Sequence, residues 1–572
     1  MKLKNIYFVV TLLLIIILLL SCSTNQTQYA DLVLTNGKII TVDDENTIVE
    51  SIAIKSDTIF ALGTSAELEK YISEKTKVIN LNGSSAIPGF IDSHAHLIST
   101  GEAKLKLNFS DVKSWGEIAS MVEAAAKTIA PGEWIIGRGW HQEKWEKTPK
   151  PNTAGFPHHL SLSKVTPNNP VLLSHASGHA IFTNKYGMSL ANISKNTANP
   201  NGGEILKDNS GKPTGVFMEE AASLIWGKYN EALSKKSKKE IIQNKKKAIH
   251  LAVSECLANG ITSFHDAGST FEDVDVYKEL VDSNNLPLRL YVMLLENSKS
   301  LSKSMKKYFA VGYANNHLTV RAIKVYMDGA LGSRGAWLLK PYTDMPSQVG
   351  LNVTPLSEIN KLVNVALENS FQVCTHAIGD RGNKEILDIY EKSFTENSNQ
   401  TSLRWRIEHA QHLDITDVPR FSKLGVIASM QGIHCTSDAP FVEKRLGADR
   451  AKNGAYVWNS LLNAGATICS GTDSPVEDID PIKNIHALVT RKVNDNSSFY
   501  PNQKMNRLEA LKSYTINGAY AAFEEDIKGS LEVGKLADIT VLSKNILTIP
   551  DEEILGTNIL YTILGGKIVF EN

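Results

Sequence analysis

Two histidines stand one residue apart at the end of an apolar run, in residues 86–96 with the sequence AIPGFIDSHAH. Because successive side chains of a strand alternate between its faces, His94 and His96 would point the same way, with Ala95 turned away. Neutral imidazole is a favoured zinc ligand, so the pair predicts half of a metal site. The pair alone is weak evidence, since a chain of this composition contains about 0.4 His-x-His pairs by chance.

Further residues with metal-binding or catalytic side chains stand at or just after the ends of other short apolar runs, and Lys324 lies within one. They are His265, Asp266, Lys324, His376, His409, His434 and Asp473. The runs alternate with helical stretches, which is the pattern of a parallel α/β fold. We predict eight strands, at residues 86–92, 261–265, 288–294, 319–326, 371–376, 404–409, 426–430 and 466–470. Eight strands separated by helices predict a TIM barrel, whose catalytic residues lie at the carboxyl ends of its strands.

Both ends of the chain are rich in β-formers separated by turn residues, at Asn36-Gly37, Ser56-Asp57 and Gly565-Gly566. Neither end is large enough to form a stable domain by itself, because a few strands need a covered face. We therefore predict one small β-sandwich built from residues 31–85 and 526–572. The barrel would occupy residues 86–525, with an insertion at about 100–230 after its first strand.

The N-terminal segment reads as an export signal. Lys2 and Lys4 precede an apolar stretch of 15 residues at 6–20, short of the roughly 20 that span a bilayer as a helix. We predict a signal peptide at residues 1–21, with an uncleaved short anchor as the alternative. Leu-Leu-Ser-Cys resembles the bacterial lipobox, which implies lipidation of Cys22 and a polar tether at 22–30. The expected product is a membrane-anchored lipoprotein, exported to the periplasmic or outer-membrane side and held by two or three acyl chains.

The net charge and the cysteines of the chain indicate its partners and its redox chemistry. The formal net charge of −1 offers no general attraction for nucleic acid. The cysteines that follow Cys22 are widely separated in apolar contexts, which favours buried free thiols over a disulfide framework. We expect a small-molecule substrate and a membrane contact through the lipid anchor, and a homodimer is left open.

Taken together, the motifs resemble a known family. PGFIDSHAH, IKVYMDGALGSRGA, THAIGDRGN, RIEHAQ and GTDSPVEDIDP are similar to segments of the amidohydrolase superfamily of metal-dependent hydrolases, in the branch that includes N-substituted formamide deformylase. GSLEVGKLADITVL resembles the segment with which that superfamily re-enters its sandwich. The resemblance extends over nearly all of residues 31–572.

The resemblance implies a site that holds one or two divalent metal ions per chain, with zinc as the first choice. His94 and His96 would hold one ion together with Asp473, while His376 and His409 would hold a second. Nothing in the spacing of these residues by itself states how many ions are bound.

Lys324 occupies the position where many members of the family carry a carboxylated lysine that bridges two metals. A lysine ammonium has no lone pair, so Lys324 would be a ligand only if it is modified or deprotonated. The alternative is an ion-paired lysine within a strand.

The implied chemistry is hydrolysis of a non-peptide C–N bond, in an amide or an N-substituted formamide. A bound Zn²⁺ lowers the pKa of its water to about 7, which makes hydroxide available at neutral pH. Asp473 would accept the proton of that water and pass it to the leaving nitrogen. His434 would bind substrate or stabilise the oxyanion.

Three residues are candidate substrate contacts. Trp140 and His179 lie in the insertion, which overhangs the barrel mouth in the family, and His265 follows the second strand. Their alternatives are a core tryptophan and histidines that support the ligands or merely line the mouth.

Rival functions remain open on the same residues. Cyclic amide hydrolysis, deamination and ester hydrolysis would use the same strand-end ligands. A non-catalytic surface lipoprotein that reuses the barrel for binding is the rival from a different class.

Overall fold

The computed structural model describes residues 28–109, 112–142, 145–175, 180–200, 203–332, 334–397, 402–493 and 497–572. The chain divides into two compact units. The first comprises the chain up to Ala95 together with Cys256–Phe271 and Pro287–Asn572, and the second comprises His96–Glu255 and Glu272–Leu286. Cys22 lies outside the described residues. Within the described ranges, no helix is both long and apolar enough to cross a membrane.

The first unit contains a path of eight parallel strands in chain order, each hydrogen-bonded to the next. They are β1 (Phe90–Ala95), β2 (Ile261–Ser269), β3 (Arg289–Leu294), β4 (Leu318–Tyr326), β5 (Gln372–Ala377), β6 (Arg406–His409), β7 (Ile427–Met430) and β8 (Ile468–Ser470). Every residue of β1, β3, β6, β7 and β8 is buried, as expected for a parallel sheet covered on both faces. The eight strands confirm the predicted TIM-barrel fold class.

Side chains and loop backbone join the two ends of this path. The carboxylate of Asp92 in β1 accepts hydrogen bonds from the Thr472 backbone N–H at 3.0 Å and from the Thr472 hydroxyl at 2.6 Å. The backbone N–H of Asp473 donates to the carbonyl of His94 at 2.7 Å. The barrel is therefore nearly closed, and its last strand is held beside its first at the carboxyl ends.

The first predicted strand, residues 86–92, proves to be two strands. Ser85–Pro88 belongs to a sheet of the sandwich, and β1 begins after Gly89. Both pieces are apolar, so periodicity does not reveal the boundary between them. Gly89 fits the crossing because a Cβ there would lie 2.2 Å from the Thr262 hydroxyl oxygen.

Strands from both ends of the chain form two further sheets in the first unit. In spatial order, one consists of Thr58–Gly63, Ser51–Lys55, Leu32–Thr35 and Lys77–Asn80, and the other of Lys567–Glu571, Ile559–Leu564, Ile539–Leu542, Ser85–Pro88, Lys38–Ile40 and Ile48–Val49. Leu32, Ile52, Ile539 and Ile563 share one buried cluster. Apolar residues from residues 32–86 and 531–563 thus contribute to a common core.

Two of the three predicted hairpins are present, at Ser56-Asp57 and at Gly565-Gly566. The prediction of a hairpin at Asn36-Gly37 is wrong. The chain does turn there, but Leu32–Thr35 and Lys38–Ile40 pair in different sheets. A turn motif between two apolar runs does not distinguish a hairpin from a corner between sheets.

The second unit contains the predicted insertion, which is built around a mixed sheet. In spatial order its strands are Gly203–Lys207, Pro213–Glu219, Ala180–Thr183, Val171–His175, Ile135–Trp140 and Leu107–Asn108. The last three are mutually parallel. One face packs on a core that includes Trp115, Trp140 and Phe182, and the other on a core that includes Leu172, Ile181 and Phe217.

Helices alternate with the barrel strands along the chain. After β2, the α-helices of six or more residues are Phe271–Asp282, Ser298–Tyr308, Leu356–Glu368, Asp380–Glu396, Val418–Leu424, Gly432–Leu446, Ala448–Gly454, Trp458–Asn463, Pro481–Thr490, Arg507–Ser513 and Ile516–Ala521. Before β2, α-helices lie at Ser65–Leu68, Leu97–Lys104, Trp115–Ala126, Leu160–Val165, Lys185–Leu190, Ser223–Ser234 and Lys238–Ala258.

Candidate functional site

Six predicted site residues come together at the carboxyl ends of the barrel strands. His94 lies in β1, Lys324 in β4, His376 in β5 and His409 at the end of β6, while His434 and Asp473 follow β7 and β8. Each of them therefore comes from a different strand or from the segment just after it. These residues are far apart in the sequence, and closure of the barrel brings them together.

The distances among these side chains are short. Lys324 Nζ lies 3.3 Å from His94 Nε2. The carboxylate of Asp473 lies between two imidazoles, with Oδ1 3.6 Å from His94 Nε2 and Oδ2 3.7 Å from His434 Nε2. The ring centroids of His94 and His409 are 4.7 Å apart, and those of His376 and His409 are 4.5 Å apart. The cluster therefore offers several nitrogen donors and a carboxylate within one small volume.

Glu408 and Arg406 hold His94 in position from inside the barrel. Glu408 hydrogen-bonds to His94 Nδ1 and forms an ion pair with Arg406, whose Nε lies 2.7 Å from Glu408 Oε1. All three side chains are completely buried. Burial would raise the pKa of Glu408, but the Arg406 charge and the hydrogen bond with His94 hold the pKa of that carboxyl well below its usual range. Because the Glu408 carboxylate accepts a hydrogen bond from the Nδ1–H of His94, the lone pair of the imidazole is on Nε2. This nitrogen faces Lys324 and Asp473.

Gln431 orients His409 in the same way. Its side-chain oxygen lies 2.8 Å from His409 Nδ1, which is the arrangement of an Nδ1–H donating to an amide carbonyl. Nε2 of His409 is then the nitrogen with a free lone pair. His409 has a left-handed backbone with φ of 75°. Such strain in a non-glycine residue persists only where the surroundings determine it strongly.

Close backbone approach places Asp473 beside His94. A Cβ at Gly471 would lie 2.4 Å from the backbone nitrogen of His94, so glycine is required two residues before Asp473. Asp473 also has a left-handed backbone, with φ of 56°. The hydrogen bonds from Thr472 to Asp92 and from Asp473 to the His94 carbonyl hold the loop in this conformation.

Asp328 organises the loop beyond His376. Its carboxylate accepts backbone hydrogen bonds from Ile378 at 2.9 Å, Gly379 at 2.8 Å and Trp337 at 2.8 Å. Burial raises the pKa of Asp328 to about 7, and these three bonds oppose the shift. Asp328 Oδ1 also lies 3.7 Å from His376 Nε2. Arg334, which follows Asp328 by six residues, forms its ion pair with Asp344.

Burial lowers the pKa of three candidate histidine ligands, His94, His376 and His409. It lowers the pKa of His94 to about 4 and that of His376 to about 3, and the charge of Lys324 adds to both shifts. It also lowers the pKa of His409 well below the usual value. The pKa of Lys324 is lowered by burial as well, with the charges of Glu408 and Asp473 opposing the shift. Neutral imidazoles are the form that binds a metal.

The donor set fits a divalent metal ion. One ligand atom from each of His409, His434 and Asp473 lies within 4.8 Å of the others. Ligands of a tetrahedral zinc ion, each about 2.0–2.2 Å from it, are themselves about 3.4 Å apart, close to the two distances measured at Asp473. His376 Nε2 and both ring nitrogens of His434 are buried and have no hydrogen-bond partner among the described residues. Such orphaned nitrogens are costly without a ligand.

His434 is thus placed for a role beyond the one predicted from the sequence. It was expected to bind substrate or to stabilise an oxyanion, and the geometry groups it with His409 and Asp473 as a third metal donor. His96 is the residue at which the second unit begins. It follows His94 by two residues in extended conformation, as the N-cap of helix Leu97–Lys104, and its role as a ligand stays a prediction.

The structure does not support two of the predicted substrate contacts. His265 lies in the barrel interior, where its Nδ1 is 3.0 Å from Arg406 Nη1 and its ring packs on Tyr291. Trp140 is completely buried in the core of the second unit, and its indole N–H donates to the Leu173 carbonyl at 2.9 Å. His265 therefore supports Arg406, and Trp140 is a core residue. His179 lies outside the described residues.

Sequence reasoning missed Glu408, Arg406 and Gln431. A signal for the first two was available: Arg406 and Glu408 alternate within a short buried strand, so both point to the same side. Two opposite charges on the inward face of a barrel strand indicate a buried pair. No comparable signal marks Gln431.

Residues 77–570 match the model of the Amidohydrolase family. Protein LONG AFTER FAR-RED 3 of Arabidopsis thaliana is 32% identical over 554 residues, covering 95% of this chain and 92% of the relative. N-substituted formamide deformylase of Arthrobacter pascens is 26% identical over 556 residues, covering 95% of this chain and 99% of the relative. A metal-dependent hydrolase of uncharacterised function from Pyrococcus furiosus has a similar structure, with a TM-score of 0.71, 26% identity, and coverage of 90% of this chain and 100% of that one.

Replacing Glu408 tests its role in positioning His94. We expect Glu408→Gln to weaken divalent-metal binding by about 10–100-fold, because a neutral amide holds the imidazole less firmly than a carboxylate does. Titration of the metal-depleted protein with zinc measures the affinity, and circular dichroism checks that the variant is folded. Glu396→Gln, at an exposed glutamate, is the matched control. An unchanged zinc affinity in folded Glu408→Gln would show that Glu408 has no such role.

Proposed function

The chain belongs to the amidohydrolase family and is a hydrolase acting on carbon–nitrogen bonds, and from that premise we propose that it cleaves an amide or an N-substituted formamide. Asp473 is the proposed general base and then general acid. The observation that carries the proposal is the Asp473 carboxylate, 3.6 Å from His94 Nε2 and 3.7 Å from His434 Nε2. The printed name of the relative from Arthrobacter pascens supports the choice of formamides.

Zinc is the metal that we propose for the site, because the donor set combines imidazoles with a carboxylate. When bound, the ion would lower the pKa of a water molecule towards 7 and polarise the scissile carbonyl. His94, His96, His376, His409, His434 and Asp473 are the proposed donors. Burial of His94, His409, His434 and Asp473 supports the proposal, since a site that excludes bulk water strengthens electrostatic interactions.

Asp473 performs the proton transfers in this proposal. One carboxylate oxygen takes the proton of the attacking water, and the same carboxylate returns it to the leaving nitrogen. An amine leaves poorly unless it is protonated, so a single group that alternates between base and acid meets both needs. His434 has two proposed uses: as a metal donor beside Asp473, or as a hydrogen-bond donor to the oxyanion of the intermediate.

Lys324 is proposed to be carboxylated. Its amine is buried 3.3 Å from His94 Nε2, and burial lowers its pKa. A neutral amine would add to carbon dioxide and lose one proton, which forms a carbamate with two oxygen donors. An unmodified lysine that hydrogen-bonds to His94 is the alternative.

The rival reactions differ in the bond that is broken rather than in the site. Cyclic amide hydrolysis, deamination and ester hydrolysis all remain compatible with the same donors. A binding protein without activity is disfavoured, because the candidate donors His94, His376, His409, His434 and Asp473 are all present and brought together.

Relative rates on matched substrates test the proposed reaction. We expect a higher kcat/KM for N-benzylformamide than for dihydrouracil, an aminopyrimidine or benzyl formate in the metal-loaded protein. Asp473→Asn should lower kcat by about 10²–10⁴-fold, because the amide side chain transfers no proton. Asp478→Asn, at an exposed residue of the same loop, is the control. Preference for one of the other substrates would replace the proposed reaction, and full activity of Asp473→Asn would remove its proposed role.

Metal analysis tests the proposal for Lys324. We expect protein purified without chelators and with bicarbonate present to contain two metal ions per chain. Lys324→Ala should reduce that number because the bridging carbamate is lost, while Lys384→Ala, at a surface lysine, should not. One ion per chain, unaffected by Lys324→Ala, would make Lys324 a structural residue. The same count on His434→Asn distinguishes the two uses of His434.

We also propose that Cys22 is lipidated and anchors the exported protein to a bacterial membrane. The Leu-Leu-Ser-Cys sequence after a short apolar stretch supports this proposal. Multiple acyl chains hold a protein firmly, whereas a single chain gives marginal binding.

Detergent partitioning tests the anchor. In a bacterial host fed labelled palmitate, we expect the wild-type protein to carry label and to enter the detergent phase of Triton X-114. Cys22→Ser should lose both properties, because the thiol is the acylated group, and Ser23→Ala should keep them. A Cys22→Ser protein that remains in the detergent phase would favour the uncleaved anchor.

A further inference from the structure

The mixed sheet of the second unit carries an unusual row of polar side chains. Asn108, Arg138 and Ser174 are direct neighbours across the three parallel strands Leu107–Asn108, Ile135–Trp140 and Val171–His175. They stand near the carboxyl ends of these strands. In α/β sheets, ligands bind outside the carboxyl ends of parallel strands.

A β-bulge separates this row from the tryptophan core. The register between Ile135–Trp140 and Val171–His175 shifts after Arg138, where Gly139 has φ of 92°. Trp140 therefore turns into the core on one face, while Arg138 stays on the other face with Ile136, which packs against the opposite core. Without the bulge, Trp140 would share the face of Arg138, so the bulge keeps the Trp140 ring away from the cavity.

A cavity of about 270 Å³ lies over this row, and Lys106, Arg138, Ser174, Trp226 and Tyr229 contribute to its lining. Trp226 and Tyr229 belong to helix Ser223–Ser234, and their ring centroids are 5.8 Å apart. The Trp134 ring also lies 5.8 Å from that of Tyr229. One side of the cavity is therefore cationic and polar, and the other is aromatic.

The two cations of the cavity, Lys106 and Arg138, are exposed residues. Among the described residues, no carboxylate forms an ion pair with Lys106 or Arg138, and no acceptor hydrogen-bonds to either side chain. Glu102 is a nearby acid, since its charge acts on the Tyr229 phenol. Among the described residues, Lys106, Arg138 and Glu102 together carry a net charge of +1, which suits a ligand with a single negative charge.

From these features we infer that the second unit binds a small organic monocarboxylate with a flat apolar body. The Arg138 guanidinium would pair with the carboxylate in bidentate geometry, with Lys106 and the Ser174 hydroxyl as further donors. The apolar body would pack on Trp226 and Tyr229. A polyanion such as phosphate fits less well, because it would leave the aromatic wall without a partner and the excess charge uncompensated.

Calorimetric titration of the full-length chain tests this inference with three probes. We expect phenylacetate to bind in 1:1 stoichiometry, and phenylacetamide and inorganic phosphate to bind at least about 10-fold more weakly. Arg138→Gln and Lys106→Gln should each weaken phenylacetate binding by about 10-fold or more, because each removes one of the unpaired cations. Lys239→Gln, at an exposed lysine of the same unit, should leave the affinity unchanged. Tryptophan fluorescence should change on binding in the wild type and less in Trp226→Phe.

A carboxylate can also bind to a metal in the barrel, and the variants separate the two sites. Loss of phenylacetate binding in Asp473→Asn, with normal binding in Arg138→Gln and Lys106→Gln, would overturn the inference. Equal binding of phenylacetate and phenylacetamide would do the same, because the charge would then have no role. If phosphate binds as tightly as phenylacetate, the cavity is an inorganic-anion site and the aromatic wall is only core.

Discussion

The buried series of contacts from Arg406 to Glu408 to His94 is the interaction on which the candidate site most depends. Moving charges from water into a protein interior is costly, and the cost is offset only when every charge is paired and hydrogen-bonded. Arg406 meets this condition through Glu408, the Ser93 carbonyl at 2.5 Å and the Ser429 hydroxyl at 2.9 Å. The contacts join β1, β6 and β7, so the same atoms that orient His94 also tie three strands together. A substitution that changes the orientation of His94 is therefore expected to change the stability of the barrel as well.

Barrel closure provides the second constraint. Asp92 and Gly471 bring the loop after β8 against the backbone of His94, and this contact sets the position of the Asp473 carboxylate. The left-handed backbones of His409 and Asp473 store strain at the two places where the chain leaves a strand to present a functional side chain. Such strain is maintained by the surrounding hydrogen bonds, so loop residues without catalytic side chains help to set the positions of His409 and Asp473.

The sequence allowed the barrel and the identity of the clustered residues to be predicted, because both follow from local patterns. Apolar runs mark the buried parallel strands, and polar residues at their ends mark the face where they meet. What could not be predicted depends on partners distant in sequence. Glu408 contacts His94 across 314 residues of chain, and Gln431 orients His409 from the residue just after β7. The boundary at Gly89 and the corner at Asn36-Gly37 were misplaced because they depend on which sheet a strand joins, and local patterns do not encode that choice.

Trp140 and His265 show why residue type alone is a poor guide to contact with substrate. Both were predicted to contact substrate at the barrel mouth. The indole N–H of Trp140 instead donates to the Leu173 carbonyl, and Nδ1 of His265 lies beside Arg406. Arg138 gives the contrasting case. It lies on one side of a bulge at Gly139 and Trp140 lies on the other. Trp140 faces a tryptophan core, whereas Arg138 faces a cavity and has no ion-pair partner among the described residues. A polar side chain that is hydrogen-bonded or ion-paired inside the protein is therefore a supporting residue, and one without such a partner is a better candidate for ligand binding. This criterion separates the two kinds of residue better than position along the strand does.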